Sequence, residues 1–295
     1  MVEKIVNYED GKILEWKWAS DHDLIPNPFF TSLFFIDGIL IDAGPPAGAD
    51  DFREFIKSLL KTSEIKLCVI THSHEDHCGG AYILQQEFNI PIYAPSGVLK
   101  DLKKESTYPE YRQITWGQKR LPVNAKEIPK WIISNSGKYT FEIFPMPGHA
   151  PEQIILIERE KQWVFAADAI QPKYKMLFGA ASDIQEDISV IYQSIKNLYK
   201  YTEGMNNLKI FLSGPGLYEG RDFIKKKMDE IGNLHKKVHQ IYEEESKSYD
   251  EEEKLLRKVL KRIFKRETII GKLTDGDLST ANLIKSLLDW PLNEI

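Results

Sequence analysis

The chain has 295 residues, 42% of them apolar and 28% charged, a globular balance in a length that suits one large domain with a smaller accessory part. Its 39 basic and 44 acidic residues give a formal charge of −5, so there is no bulk positive field to hold a polyanion and nucleic acid is not the expected partner. No apolar stretch approaches the roughly 18 residues of a membrane span, and the N-terminus lacks the basic head and apolar run of a secretion signal. The two cysteines, Cys68 and Cys78, read as free thiols of a cytoplasmic protein.

The first half alternates strand and helix signals. Ile13–Trp18, Phe29–Ile36 and Ile39–Ile41 are β-rich runs, separated by a Pro-containing loop from Asp21 to Pro28 and by Asp37-Gly38, a two-residue hairpin signal. Asp50 is expected to cap an amphipathic helix carrying Phe52, Phe55, Ile56, Leu59 and Leu60 at helical spacing. Leu67–Ile70 is a short continuous apolar run that suits a buried strand. A helix over about 79–88, a strand at Ile90–Ala94 and a helix around Val98–Leu102 follow. Residues 103–137 lack periodicity and read as an inserted loop region. Strand patterns return at Lys138–Phe144, Gln153–Glu158 and Gln162–Ala166. A helix is marked by Ile188, Ile191, Ile195, Leu198 and Tyr199, and Leu208–Leu212 is the last expected strand. Beyond Pro215-Gly216 the composition turns highly charged, with three amphipathic helical patterns. The expected division is an α/β body at 1–218 and a helical appendage at 219–295, able to pack across the body, roof the site or form a homodimer contact.

One segment stands apart: Thr71-His72-Ser73-His74-Glu75-Asp76-His77-Cys78-Gly79-Gly80 follows the apolar strand directly. Three of the seven histidines lie within six residues with an Asp among them, and imidazole with carboxylate is the ligand set that zinc or iron takes. Two further candidates stand at strand ends. His149 lies in the rigid turn Pro147-Gly148-His149-Ala150-Pro151, and Asp168 closes the apolar run Trp163–Ala167, where an unpartnered carboxylate would be costly.

His-x-His-x-Asp-His after a strand, then Pro-Gly-His, then Ala-Asp at a strand end resembles the metallo-β-lactamase superfamily of metal-dependent hydrolases. Ile41-Asp42-Ala43-Gly44 is similar to that superfamily's early Asp-x-Gly turn, whose Asp supports the metal loop. The resemblance covers roughly residues 10–216 and implies an αββα sandwich with the site at one edge of two facing sheets. It implies His72, His74 and His149 for a first ion, and Asp76, His77 and a bridging Asp168 for a second, with zinc as the expected metal and iron the alternative. It further implies a metal-activated hydroxide attacking an ester, thioester, lactone or related bond of a small molecule, Asp76 orienting the nucleophile and delivering a proton to the leaving group. Thioester hydrolysis like that of glyoxalase II is the first expectation.

The chain departs from the family at Ser213-Gly214-Pro215-Gly216, where a Gly-His-Gly-type turn usually completes the second metal position. Proline offers no ligand. His22, or His235 and His239 on the appendage, are substitutes only if they prove other than surface histidines. A weakened second position keeps a one-iron enzyme resembling persulfide dioxygenases in view. The basic residues of 254–266 keep an endoribonuclease in view, although a solvated helix face opposite the acidic run Glu243–Glu253 is the simpler reading.

Overall fold

The computed structural model describes residues 2–22, 29–179, 185–249 and 251–294, so most of the expected Asp21–Pro28 loop lies outside it. Its strands and helices, in chain order, are β1 (Val2–Tyr8), β2 (Ile13–Ala19), β3 (Thr31–Ile36), β4 (Ile39–Ile41), α1 (Ala49–Leu59), β5 (Leu67–Val69), α2 (Glu75–Cys78), α3 (Ala81–Glu87), β6 (Ile92–Ala94), α4 (Leu99–Leu102), β7 (Ser106–Thr107), α5 (Glu110–Trp116), β8 (Lys119–Arg120), β9 (Lys126–Glu127) and β10 (Trp131–Ile133). They continue with β11 (Thr140–Pro145), β12 (Ile154–Glu158), β13 (Trp163–Ala167), β14 (Leu177–Phe178), α6 (Ile188–Tyr201), β15 (Lys209–Leu212), β16 (Gly216–Glu219), α7 (Arg221–Ser246), α8 (Glu252–Phe264), α9 (Ile269–Leu273), β17 (Leu278–Ser279) and α10 (Thr280–Asp289).

The chain divides into two compact units. The first comprises Met1–Pro145, Pro151–Asp168 and Asn207–Tyr218; the second comprises Met146–Ala150, Ala169–Asn206 and Glu219–Ile295.

Two large sheets make up the first unit, one of seven strands in the order β1-β2-β3-β4-β5-β6-β9 and one of six in the order β10-β11-β12-β13-β15-β16. The first sheet is antiparallel from β1 to β4 and parallel from β4 through β9. The strand period of two separates its faces. Phe34, Ile36, Ile39, Ile41, Leu67 and Val69 point into one core with Phe141, Leu156, Phe165 and Phe211 of the second sheet. The alternate residues Leu33, Phe35, Leu40, Cys68 and Ile70 point into a second core with Phe52, Phe55 and Ile56 of α1 and Ile83 and Leu84 of α3. A strand with apolar residues on both faces belongs inside a layered fold, which is why these runs read as continuously hydrophobic. Phe165 stacks on Phe211 at 4.8 Å, and Phe34 meets both rings edge-on at 5.4 and 5.7 Å. The mixed α/β architecture of two large sheets with helices, and the helical C-terminal region, are those the sequence led us to expect.

Several expectations need correction. Gly48, not Asp50, precedes the first residue of α1; Asp50 lies in the helix's first turn, paired with Arg53 at 2.7 Å. Residues 103–137 are not one loop but hold α5 and four short strands, and β16 follows the strand expected to be last. The Asp37-Gly38 hairpin forms as read, both residues taking positive φ (+41° and +87°), the requirement of its tight turn.

In the second unit, α6, α7, α8 and α10 are amphipathic helices that pack on one another. Trp290 lies against Tyr192 at 5.0 Å and stacks on His235 at 4.1 Å. His235 and His239 belong to neither grouping of possible metal ligands among the described residues: both Nε2 atoms bond the carbonyl of Trp290 beyond the end of α10, at 2.7 and 3.0 Å. Arg262 bonds Glu244 and Glu245 at 2.7 and 3.0 Å, and Lys254 and Arg257 pair with Glu251 and Glu253. Lys254, Arg257 and Arg262 of the basic run are thus paired with the acidic run. Among the described residues no helix is long and apolar enough to cross a membrane.

Candidate metal centre

The Thr71–Gly80 segment leaves β5 at the sheet's C-terminal edge and is held there by the neighbouring turn. Asp42, at the end of β4, takes a left-handed φ of +67°, a conformation that a short polar side chain tolerates. Its buried carboxylate accepts from Thr71 N at 2.8 Å, Thr71 Oγ1 at 2.9 Å and His77 Nδ1 at 2.7 Å. The backbones are clamped as well. Ala43 N donates to His77 O at 2.7 Å, and a Cβ on Gly80 would stand 2.2 Å from Ala43 O. Only glycine lets the start of α3 approach the turn this closely.

These bonds fix the imidazoles. His77 spends Nδ1 on Asp42, so its Nε2 faces inward, buried, with Asp76 Oδ2 at 3.4 Å and Asp168 Oδ2 at 3.5 Å. His72 Nδ1 lies 3.0 Å from Thr71 Oγ1, and its ring sits 4.2 Å from that of His77 and 4.6 Å from that of His74. One donor atom each from His72, His77 and Asp168 lies within 4.8 Å of the others. Asp168 arrives from the other sheet. The β13–β15 register slips between Phe165 and Ala167, and Ala167 takes a φ of +45° directly before the carboxylate turns toward the histidines. Thr71 O accepts from Ile154 N and Ser73 N donates to Glu152 Oε1, both at 3.1 Å, so loop ends from both sheets meet at this edge.

The electrostatics ask for a cation. Burial alone would lower the proton affinity of His77, yet the carboxylates of Asp76, Asp42 and Asp168 override it and hold the imidazole well above its ordinary range. Burial likewise works to raise Asp76, but His77 and Arg112 win and keep its carboxyl below the usual value. Asp42 goes up, because complete burial outweighs its donors. Asp76 and Asp168 face the buried Nε2 of His77 and hold a proton where a divalent metal could take its place, so the residues present fit a metal ion. Cys78 is no nucleophile here: burial pushes its thiol up to about 12, and Sγ donates to the carbonyls of Ser73 and His74.

His149 belongs to the second unit, where Nδ1 lies 2.6 Å from Glu186 Oε1. His22 is exposed on the loop after β2, whose continuation is not described. The turn carrying Pro215 brings no imidazole. Ser213 Oγ accepts from Ser32 N at 2.9 Å, Gly214 N donates to Ser32 Oγ at 2.9 Å, and Ser32 Oγ donates to the buried Glu15 at 2.6 Å. Hydroxyls and a carboxylate thus occupy the strand-end position where a ligand was sought. Two residues around the centre escaped sequence reasoning. Arg112 bonds Glu75 inside the motif, an ion pair with no sequence signal; Glu186 sits in an ordinary polar run, Gln185-Glu186-Asp187.

Comparison with known proteins follows the same line. Hydroxyacylglutathione hydrolase of Bdellovibrio bacteriovorus is 25% identical over 134 residues, 45% of this chain and 43% of that protein. Hydroxyacylglutathione hydrolase GloC of Haemophilus influenzae is 32% identical over 112 residues, 36% of this chain and 50% of its own. The matches thus span about half the length of these curated relatives. A beta-lactamase domain protein from Burkholderia ambifaria superposes with a TM-score of 0.69 at 11% identity, covering 96% of this chain and 87% of its own, a likeness of fold. The family model for the metallo-beta-lactamase superfamily matches residues 26–259, and the chain belongs to that superfamily.

Proposed function

We propose that this protein is a metal-dependent hydrolase of a small-molecule thioester or related acyl compound, with zinc as its metal. The observation that carries the reading is the grouping within 4.8 Å of donor atoms from the buried His72 and His77 and the half-buried Asp168, with Asp76 beside them. We assign His72, His74 and His149 to a first ion, and Asp76, His77 and Asp168 to a second. When bound, the metal supplies Lewis acidity toward the acyl oxygen and makes water acidic enough to attack near neutral pH.

The chain's own residues do the rest. Asp42 and Thr71 hold the rings of His77 and His72 by their Nδ1 atoms. Asp76, whose carboxyl stays ionised beside His77, orients the attacking water, accepts its proton and returns it to the departing thiol or alcohol. The thioester preference draws support from the relatives, both hydroxyacylglutathione hydrolases. We place the catalytic part in residues 1–218 and read 219–295 as an added helical part, and we infer a cytoplasmic enzyme from its two unbridged cysteines.

Metal analysis of the purified protein, paired with turnover of an acyl-glutathione thioester, tests the reading. Zinc with thioester cleavage supports it. Iron with oxygen consumption on a persulfide would replace it with the dioxygenase alternative.

A further inference from the structure

We propose that Glu186 is a positioning residue for His149 and that, through it, β17 and α10 set how tightly the first metal position holds its ion. The inference rests on the assignment of His149 as a ligand. Glu186 is buried and both of its oxygens are taken: Oε1 lies 2.6 Å from His149 Nδ1, and Oε2 accepts from Phe178 N at 2.8 Å. A carboxylate can only accept, so the ring proton sits on Nδ1 and the lone pair on Nε2, the tautomer that binds a metal. Bonded at both oxygens, the carboxylate holds the ring plane as well as the proton.

The anchor of that carboxylate lies far along the chain. Glu186 N donates to Phe178 O at 3.2 Å, so the two residues hold each other. Phe178 is in β14, which pairs with β17 through Leu177↔Ser279 and Phe178↔Leu278. Asn282, in the first turn of α10, donates from Nδ2 to Leu177 O at 3.2 Å and Asp277 O at 2.8 Å, tying the hairpin-like pair together. On the other side, the turn bearing His149 is pinned to α6. Asp187 N donates to Gly148 O at 3.2 Å and Ser194 Oγ to Pro147 O at 2.7 Å. His149 therefore takes its orientation from residues between 178 and 282 of its own unit, which gives the C-terminal segment work to do at the centre. Outer partners of this kind govern metal affinity by about 10–100-fold.

The test is a cobalt(II) titration of the full chain, read by visible absorption, beside the melting temperature of the metal-free protein. Glu186→Gln keeps the size but removes the charge and sets an amide against Phe178 N–H. It should weaken the first cobalt by about 10–100-fold and alter its spectrum. Asn282→Ala should shift affinity in the same direction by a smaller factor. Val259→Ala, a core truncation in α8, is the control: it should lower the melting temperature and leave cobalt affinity unchanged. Where Glu186→Gln yields no folded protein, Glu186→Asp is measured instead, with an intermediate loss expected because the shorter side chain cannot reach both partners. Wild-type cobalt affinity and spectrum in the Glu186 variants would overturn the inference whatever their melting temperatures. A wild-type chain that takes up no cobalt would overturn the metal reading itself, a different result from the same titration.

Discussion

Arg112 Nε and Nη2 lie 2.6 and 2.5 Å from the two carboxylate oxygens of Glu75, a bidentate pair sealed from solvent between the inserted helix α5 and the first residue of α2. Glu75 separates His74 from Asp76, so the pair ties the insertion to the metal loop. Burial pushes the Glu75 carboxyl up, and the guanidinium is what opposes it. Arg112→Met should cost about 3–5 kcal/mol in denaturant unfolding, since it strands a buried carboxylate. Adding Glu75→Leu should recover most of that loss. A single variant as stable as the parent would show that the pair does not brace the loop.

Asp76→Asn should lower turnover by about 100-fold or more, in the range of positioned acid–base groups, while the first ion stays largely in place. His72 and His74 keep their rings in this variant, whereas the proton acceptor is gone. Rate and metal content measured on the same preparation decide it, and unchanged turnover refutes the role given to Asp76.

Ion for ion, the two positions should differ. Ser213 is engaged with Ser32, and Pro215 is exposed on a turn with no imidazole to offer. On the proposed assignment the second ion would have Asp76, His77 and a shared Asp168. Mild chelation should remove it well before the first, and Pro215→His should raise metal content toward two per chain. Elemental analysis after graded dialysis against a chelator gives the answer; equal retention of two ions points to another ligand, with His22 the first to mutate.

Acid should destabilise the protein through His235. Burial lowers its proton affinity, and the bond to the Trp290 carbonyl only partly compensates. Its folded-state pKa lies below its unfolded value near 6.5, so the stability it confers is present above that value. That contribution is lost as pH falls from about 6.5 through the folded-state pKa, because the unfolded chain then binds the proton more readily. His235→Gln can still donate to the carbonyl but cannot titrate. Melting curves at pH 7.5 and 5.5 should show a smaller drop for this variant than for the parent; equal drops would place the acid sensitivity elsewhere.

The continuous apolar runs Leu33–Ile36 and Leu67–Ile70 made the body legible, because burial on both faces leaves no other pattern. The His-x-His-x-Asp-His spacing made the candidate centre legible because three of its histidines are local in the chain. Strand β1 escaped because Glu3, Lys4 and Ile5 at the sheet's edge are exposed and carry no burial pattern. Strand β16 is short and follows a Pro-Gly turn. Arg112 and Glu186 act on motif residues 37 positions away, and no local rule links such partners. The cap of α1 was misread because an Asp in the first turn carries the same favourable charge as one at the cap.

The two sheets place the histidines and Asp168 on strands made at different times. Strand β13 gains its parallel neighbour β15 only when Lys209–Leu212 exists, and the loop bearing His72 and His77 leaves the ribosome long before. At about 5–20 residues per second, synthesis from His77 to Asp168 takes on the order of ten seconds. A cation that meets the growing chain in that interval meets imidazoles without the carboxylate that later joins them. On the proposed assignment, the finished fold should therefore hold a cation more tightly than a nascent chain that ends before Asp168.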